Sequence, residues 1–420
     1  MSRTIVIRNA EQAVSSCQDK RKMRYLLRLS GIPVVSQAEK ASGQRIYRVQ
    51  MFHQHPLSIV KEPLQSPWLL HPLPMEQTAD PVAPESDDPE VRLITYLAMR
   101  SLYAVGLEIG QVTVVAYSPN RAKVADIHPE WNEQDIDSSR LSDLFQMMEQ
   151  DQSSEVMLGA DPEFALRGSD GSMVLASDFL GKHGTVGCDS TRYREELALN
   201  QWPLVELRPN PTQDPEELFY FLYQALQLAR RKIGDETVEW LAGGMPFDGY
   251  PIGGHIHFSK IAPSFSLLRK LDAYLSLPLV LLEDEGCRKR RPRYGFLGDF
   301  REKSYGGFEY RTLPSWLVTP TIARGVLHLA KLVASHHRQL SARPFLQVPM
   351  LRAYYFGDKE RVTQMVRAMW EELCALPAYQ TAGPQLDAFF TCVFSGEIWP
   401  ADQDIRRAWK LMENRAIMEQ

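Results

Sequence analysis

Four short segments of this 420-residue chain set acids, histidines and arginines at alternate positions. They are Asp161-Pro-Glu163, Glu206-Leu-Arg208, His255-Ile-His257 and Glu309-Tyr-Arg311, with Arg301 and Lys303 just ahead of the last. On a β-strand, residues i and i+2 point to the same face. Each segment therefore predicts a same-side polar pair. A sheet face carrying carboxylates, imidazoles and guanidinium groups is a poor core and a good site for a divalent cation and phosphate. Asp161 and Glu163 offer hard oxygen ligands suited to Mg²⁺ or Mn²⁺. Arg301, Lys303, Glu309 and Arg311 fall within eleven residues, and arginine forks grip phosphate or carboxylate bidentately.

Taken singly, each motif has an ordinary reading. Asp-Pro-Glu alone is a surface turn, and Pro162 points to an edge strand or bulge. Glu206 and Arg208 alone are a solvent-side pair. His255 and His257 are open to three readings: a hydrogen-bonded structural pair, metal ligands, or donors to phosphate. Gly253 and Gly254 before them let the backbone approach a ligand closely. A zinc hydrolase would also use His-x-His, but no His-Glu-x-x-His or Gly-x-Ser-x-Gly accompanies it.

The elements that must position these residues can be read from periodicity. Residues 3–8, 31–35 and 45–51 alternate like strands, and 20–29 reads as a short basic helix, together a small α/β unit. Residues 71–90 are rich in proline and acids and read as a linker or loop. Helices are expected from Pro89 to about Tyr103 and over 138–150, with a strand between them at 106–116. Met157–Leu166 turns at Gly168-Ser-Asp-Gly171 into a hairpin partner. Strand 204–208 leads to Asp214, an N-cap with Glu217 at the capping-box position, and a helix to about Lys232. Strand 239–243, the His-x-His strand, a helix over 267–283 and a paired-strand region over 295–313 follow. The remainder, 321–340, 359–376 and 403–413, reads as helix. Strand clusters without strict βαβ alternation favour α+β with a mostly antiparallel sheet.

Bulk properties set outer limits. Hydrophobic content of 44% and charged content of 24% are those of a soluble globular protein. With 47 basic and 52 acidic residues the net charge is −5, which argues against a general nucleic-acid binder. The local basic run Cys287–Arg293 reads either as a solvated loop or as a phosphate-steering patch. Five cysteines without Cys-x-x-Cys spacing argue against a disulfide framework or structural zinc, and Cys188 reads as a small buried residue. Without an 18-residue apolar run or an apolar leader, no membrane span is expected and the cytoplasm is the default location.

The order of these motifs resembles the glutamine synthetase/glutamate–cysteine ligase superfamily, and more closely the phage-type carboxylate–amine ligases (COOH.NH2 ligase, type 2). The similar stretch runs from Leu158 to Trp316 and includes Gly187-Cys-Asp189. Its most specific phrase is Tyr294-Gly-x-x-Gly-Asp-Phe-Arg-x-Lys-x-Tyr-Gly-x-Phe-Glu-Tyr-Arg-Thr-Leu-Pro-Ser-Trp316. The resemblance implies a curved antiparallel sheet of glutamine-synthetase type, flanked by helices, whose concave face holds ATP and two or more Mg²⁺ (or Mn²⁺) ions. It places Glu163, Glu206 and Glu309 as metal carboxylates with Asp161 as a helper. His255 falls at a metal or phosphate contact and His257 at substrate or phosphate. Arg301 and Arg311 fall on transferred phosphate or substrate carboxylate, and Arg208 and Lys303 on the cofactor. The implied activity is ATP-dependent amide formation through an acyl phosphate, with small-molecule or peptide carboxylates and amines as substrates. A homo-oligomer is a further expectation. The alternatives are a non-catalytic nucleotide-binding scaffold of the same fold and a metal-dependent hydrolase. Asp-Pro-Glu departs from the Glu-x-Glu of the wider superfamily. Segments before Met157 resemble pieces of ATP-grasp-like proteins without a complete nucleotide site, and read as an accessory α/β domain. The expected division is 1–70 accessory, 71–90 linker, 91–150 accessory, 155–345 catalytic and 346–420 a helical extension.

Overall fold

The computed structural model describes residues 9–36, 44–62, 80–130, 143–144, 155–189 and 201–412. The strand expected at 3–8, most of the helix expected at 138–150 and the first part of the expected linker lie outside them. The chain forms two compact units, 1–150 with 345–348, and 151–344 with 349–420.

The first unit is built on a five-stranded sheet in the order β3-β2-β1-β4-β5. Its strands are β1 (Arg45–Phe52), β2 (His55–Lys61), β3 (Asp80–Val82), β4 (Ile109–Ser118) and β5 (Arg121–His128). Every pairing is antiparallel. Helices α1 (Glu11–Gln18), α2 (Lys20–Leu29) and α3 (Pro89–Val105) accompany it. The expected strand at 31–35 is reduced to one parallel bridge, Val34 to Val124. Residues 80–82, expected to be linker, form an edge strand against β2. Asp88 caps α3 and Pro89 opens it, as fits a ring with no N–H to lose.

The second unit carries the chemistry. Its strands are β6 (Met157–Arg167), β7 (Met173–Val174), β8 (Val186–Asp189), β9 (Leu204–Leu207), β10 (Glu239–Leu241), β11 (Gly254–Ser259), β12 (Phe300–Glu302) and β13 (Phe308–Tyr310). They form one eight-stranded antiparallel sheet, β12-β13-β11-β6-β9-β8, with β7 and β10 also on β6. The α+β, mostly antiparallel expectation therefore holds.

β6 is central, not the edge strand that Pro162 suggested. The Glu163 N–H bonds the Gly253 carbonyl toward β11. The neighbouring residue, Pro162, would donate to the opposite side, where the β9 ladder starts only at Glu163. The missing N–H thus falls where the ladder has no partner to lose.

Period-2 alternation sorts the two faces. Ile256, Phe258, Phe308, Tyr310, Phe164 and Val205 lie on the covered face, each fully buried. The Phe258 and Phe308 rings stack at 5.1 Å. Helix α4 (Pro215–Ile233) packs on β6, β8 and β9 through a stripe that includes Leu218, Leu222 and Leu226, and helix α5 (Pro320–His336) packs on α4. Asp214 caps α4 by accepting from the Glu216 N–H. Glu217 does not complete the capping box, because its carboxylate takes the Thr212 hydroxyl. Helices α6 (Lys359–Cys374) and α7 (Tyr379–Phe394) follow; α7 contains Pro384, which hides it from a sequence reading. Of the helix expected at 403–413, only Ile405–Ala408 is α-helical.

Candidate functional site

The opposite face of the second sheet holds the polar residues, and strand register puts them in rows. Arg301 lies opposite Glu309, and Glu309 opposite His257. His255 lies opposite Asp161, and Glu163 opposite Glu206. All ten residues singled out by spacing and resemblance line one cleft of about 590 Å³. That volume is typical of a small-molecule site.

Glu309 is the hub on one side. Its side chain is fully buried, yet Arg301 forks onto it at 2.6–2.9 Å. Lys303 Nζ lies at 2.5 Å and Arg311 Nε at 3.0 Å from its carboxylate oxygens. His255 Nδ1 stands 3.3 Å from Glu309 Oε1 and 3.4 Å from Asp161 Oδ1. His257 Nε2 reaches Asp161 Oδ2 at 2.9 Å. Burial pushes Glu309 and Asp161 upward, but neighbouring positive charge wins in both. His255 and His257 hold Asp161 low, and His255, Lys303 and Arg301 hold Glu309 below the usual carboxylate range.

The other side is poor in counter-charge. Glu163, Glu206 and Asp189 converge with ligand oxygens within 4.8 Å of one another. Burial first, and then the Glu206 charge, push Glu163 well above its ordinary value. Burial and Asp161 push Glu206 up to about 8, although Arg208 pulls the other way. Arg208 pairs with Glu206 and also donates to the Lys182 and Gly184 carbonyls. Carboxylates brought together in this way fit a hard divalent cation.

Asp161, His255 and Glu309 form a second group whose ligand atoms likewise lie within 4.8 Å of one another. Asp161 Oδ1 is buried and accepts no hydrogen bond from the described residues. Both groups therefore fit a metal by donor type, and an orphaned buried oxygen marks the second. The donors are five carboxylates and one imidazole, an oxygen-rich set that suits Mg²⁺ or Mn²⁺ better than zinc.

Three residues of the site escape the spacing rule. Asp189 sits in β8 without an acid two positions away. Tyr294 donates to or accepts from His255 Nε2 at 2.7 Å, and Tyr305 meets His257 Nδ1 at 3.0 Å. The basic run at 287–293 is neither a loop nor a free patch throughout. Arg290 is buried against the carbonyls of Thr312 and Leu313, and Arg291 is buried against Glu283. Gly253 and Gly254 make room for protein groups, the His255 ring and the Trp316 indole. Cys188 is buried, its thiol 3.5 Å from the Leu180 carbonyl.

The family model described as Phage phiEco32-like COOH.NH2 ligase-type 2 matches residues 158–411. No curated protein sequence matches the chain. Among solved structures, the chain is similar to a bifunctional glutathione synthetase from Pasteurella multocida at 12% identity and a TM-score of 0.39. The match covers 64% of this chain and 53% of that one, about half its length. A GmaS/ADP complex aligns at 13% identity and a TM-score of 0.27, over 64% of this chain and 82% of that one. A novel glutamine synthase homolog aligns at 15% identity and a TM-score of 0.28, over 70% and 81%.

Proposed function

This chain belongs to the phage phiEco32-like COOH.NH2 ligase-type 2 family, and on that premise we propose that the cleft joins a carboxylate to an amine with consumption of ATP. A carboxylate is a poor electrophile, so the γ-phosphoryl group is first transferred to it. The acyl phosphate is then attacked by the amine, and phosphate leaves. Glu163, Asp189 and Glu206 hold one Mg²⁺ or Mn²⁺, and Asp161, His255 and Glu309 a second. Such ions neutralise phosphate oxygens and align the transferred group.

Arg301, Lys303 and Arg311 supply the mobile counter-charge. They crowd onto Glu309, and with that carboxylate committed to a cation they would be free to turn toward the transferred phosphate or the substrate carboxylate. Arg301 suits that movement because its side chain is 44% exposed. His257 and Arg208 border the same space and contact phosphate or substrate. The first unit serves as an accessory domain for substrate or partner binding.

The observation that carries this reading is the pairing of two acid clusters with a basic row on one sheet face. The test is ADP release by the purified chain with Mg²⁺ and pooled amino acids and peptides, beside Glu309→Gln. Release that rises with a pool and vanishes in the variant supports the ligase. Failure of the chain to bind Mg-ATP at millimolar concentration in calorimetry overturns it.

A further inference from the structure

His255 is held on the edge that faces away from the acids, and two residues do the holding. Its Nε2 lies 2.7 Å from the Tyr294 hydroxyl, with the two rings edge-on at 72°. The same edge lies over Gly253, where an added Cβ would stand 2.3 Å from Nε2 and 2.8 Å from Cδ2. Any side chain at 253 would push the imidazole out of place. Tyr294 is itself fixed. The Arg290 guanidinium lies 4.4 Å from its ring centre, and Arg290 donates to the Thr312 and Leu313 carbonyls at 2.8 and 2.7 Å.

We propose that Gly253 and Tyr294 form a socket that positions His255 as a ligand through Nδ1, with Tyr294 accepting the Nε2–H. This deepens the ligase reading and rests on it. An imidazole that ligates through one nitrogen must carry its proton on the other. With Nε2–H donated to the Tyr294 oxygen, the Nδ1 lone pair is directed at Asp161 and Glu309. Nδ1 stands 3.4 Å from Asp161 Oδ1 and 3.3 Å from Glu309 Oε1, and the three atoms repel unless a proton or a cation lies among them. By offering its oxygen to Nε2–H, Tyr294 supports the tautomer that binds a cation through Nδ1. Tyr294 and Gly253 act as positioning residues, through His255.

The probe is Mn²⁺, titrated into the full chain and followed by the electron paramagnetic resonance signal of the free ion. Tyr294→Phe and Gly253→Ala should each weaken at least one class of Mn²⁺ site by about 10- to 100-fold. Tyr310→Phe removes another buried hydroxyl, bonded to Asp272 on the covered face at 2.7 Å. It should leave Mn²⁺ affinity unchanged. In the Mg²⁺-loaded chain, ¹⁵N shifts of His255 should report Nε2–H, and a mixed population in Tyr294→Phe. Mn²⁺ affinity within twofold of the parent in both socket variants overturns the inference alone. An equal loss in Tyr310→Phe also overturns it, since the effect would then be general softening. A parent chain that binds no Mn²⁺ overturns the ligase reading together with the inference.

Discussion

Glu206→Gln should make the metal-free chain more stable at alkaline pH while weakening its hold on metal. Glu206 and Glu163 are cross-strand neighbours, and their oxygens lie within 4.8 Å. Two like charges at that distance repel by about 3.5 kcal/mol at an effective dielectric of about 20. A rise from the ordinary value of 4.5 to about 8 corresponds to about 5 kcal/mol at about 1.4 kcal/mol per pH unit. A carboxyl whose pKa rises on folding binds its proton more tightly in the native state. Its contribution is fully present below about pH 4.5 and is lost as pH climbs through about 8. That rise already includes the pull of Arg208, so the net expectation is under about 1 kcal/mol of difference at pH 5 and a gain of up to about 5 kcal/mol at pH 9. Urea unfolding in EDTA, followed by the fluorescence of buried Trp240 and Trp316, reads this directly. Mn²⁺ at about 100 times its Kd should then add about 2.7 kcal/mol to the parent chain and less to the variant. Equal destabilisation of the variant at both pH values, or no alkaline gain, would refute the claim that burial and the neighbouring acids, Asp161 foremost, disfavour the Glu206 charge.

Two further outcomes test the frame around the site. Gly254→Ala places a Cβ 2.5 Å from the Pro314 carbonyl and from the Trp316 ring, and should cost about 1–3 kcal/mol in thermal unfolding; an unchanged midpoint would show that the contact yields freely. Arg291→Met leaves Glu283 buried without its partner and should cost about 3–5 kcal/mol, whereas adding Glu283→Leu should recover most of it. A double variant as unstable as the single one would mean that the loss comes from packing and not from the unpaired charge.

The polar face was legible because strand alternation is a strictly local rule. Once 157–167, 204–207, 254–259 and 308–310 are strands, the sides of Asp161, Glu163, Glu206, His255, His257 and Glu309 follow. Which of them meet is set by register between strands far apart in sequence, and no local pattern encodes it. Pro162 shows the limit from the other direction. Proline depresses strand propensity, but its cost depends on whether a ladder partner faces the missing N–H, and at 162 none does.

Residues that serve the site from outside the sheet pattern were the least legible. Asp189 comes beside Glu206 only because β8 pairs with β9. Tyr294 lies in the segment between the helix Glu285–Arg290 and β12, and nothing in its neighbourhood announces a histidine 39 positions earlier. Arg290 and Arg291 read as surface charge, yet both are buried: one braces the carbonyls after β13, the other neutralises Glu283. The basic run is therefore divided by burial, and charge density alone does not distinguish a structural arginine from a ligand-binding one. What distinguishes them is the acceptor. Arg290 has satisfied main-chain carbonyls and cannot leave them cheaply, whereas Arg301, Lys303 and Arg311 share one carboxylate that a cation would claim. If the cleft binds metal and phosphate as proposed, only the second group has a reason to move when substrate arrives, whereas Arg290 and Arg291 brace the fold.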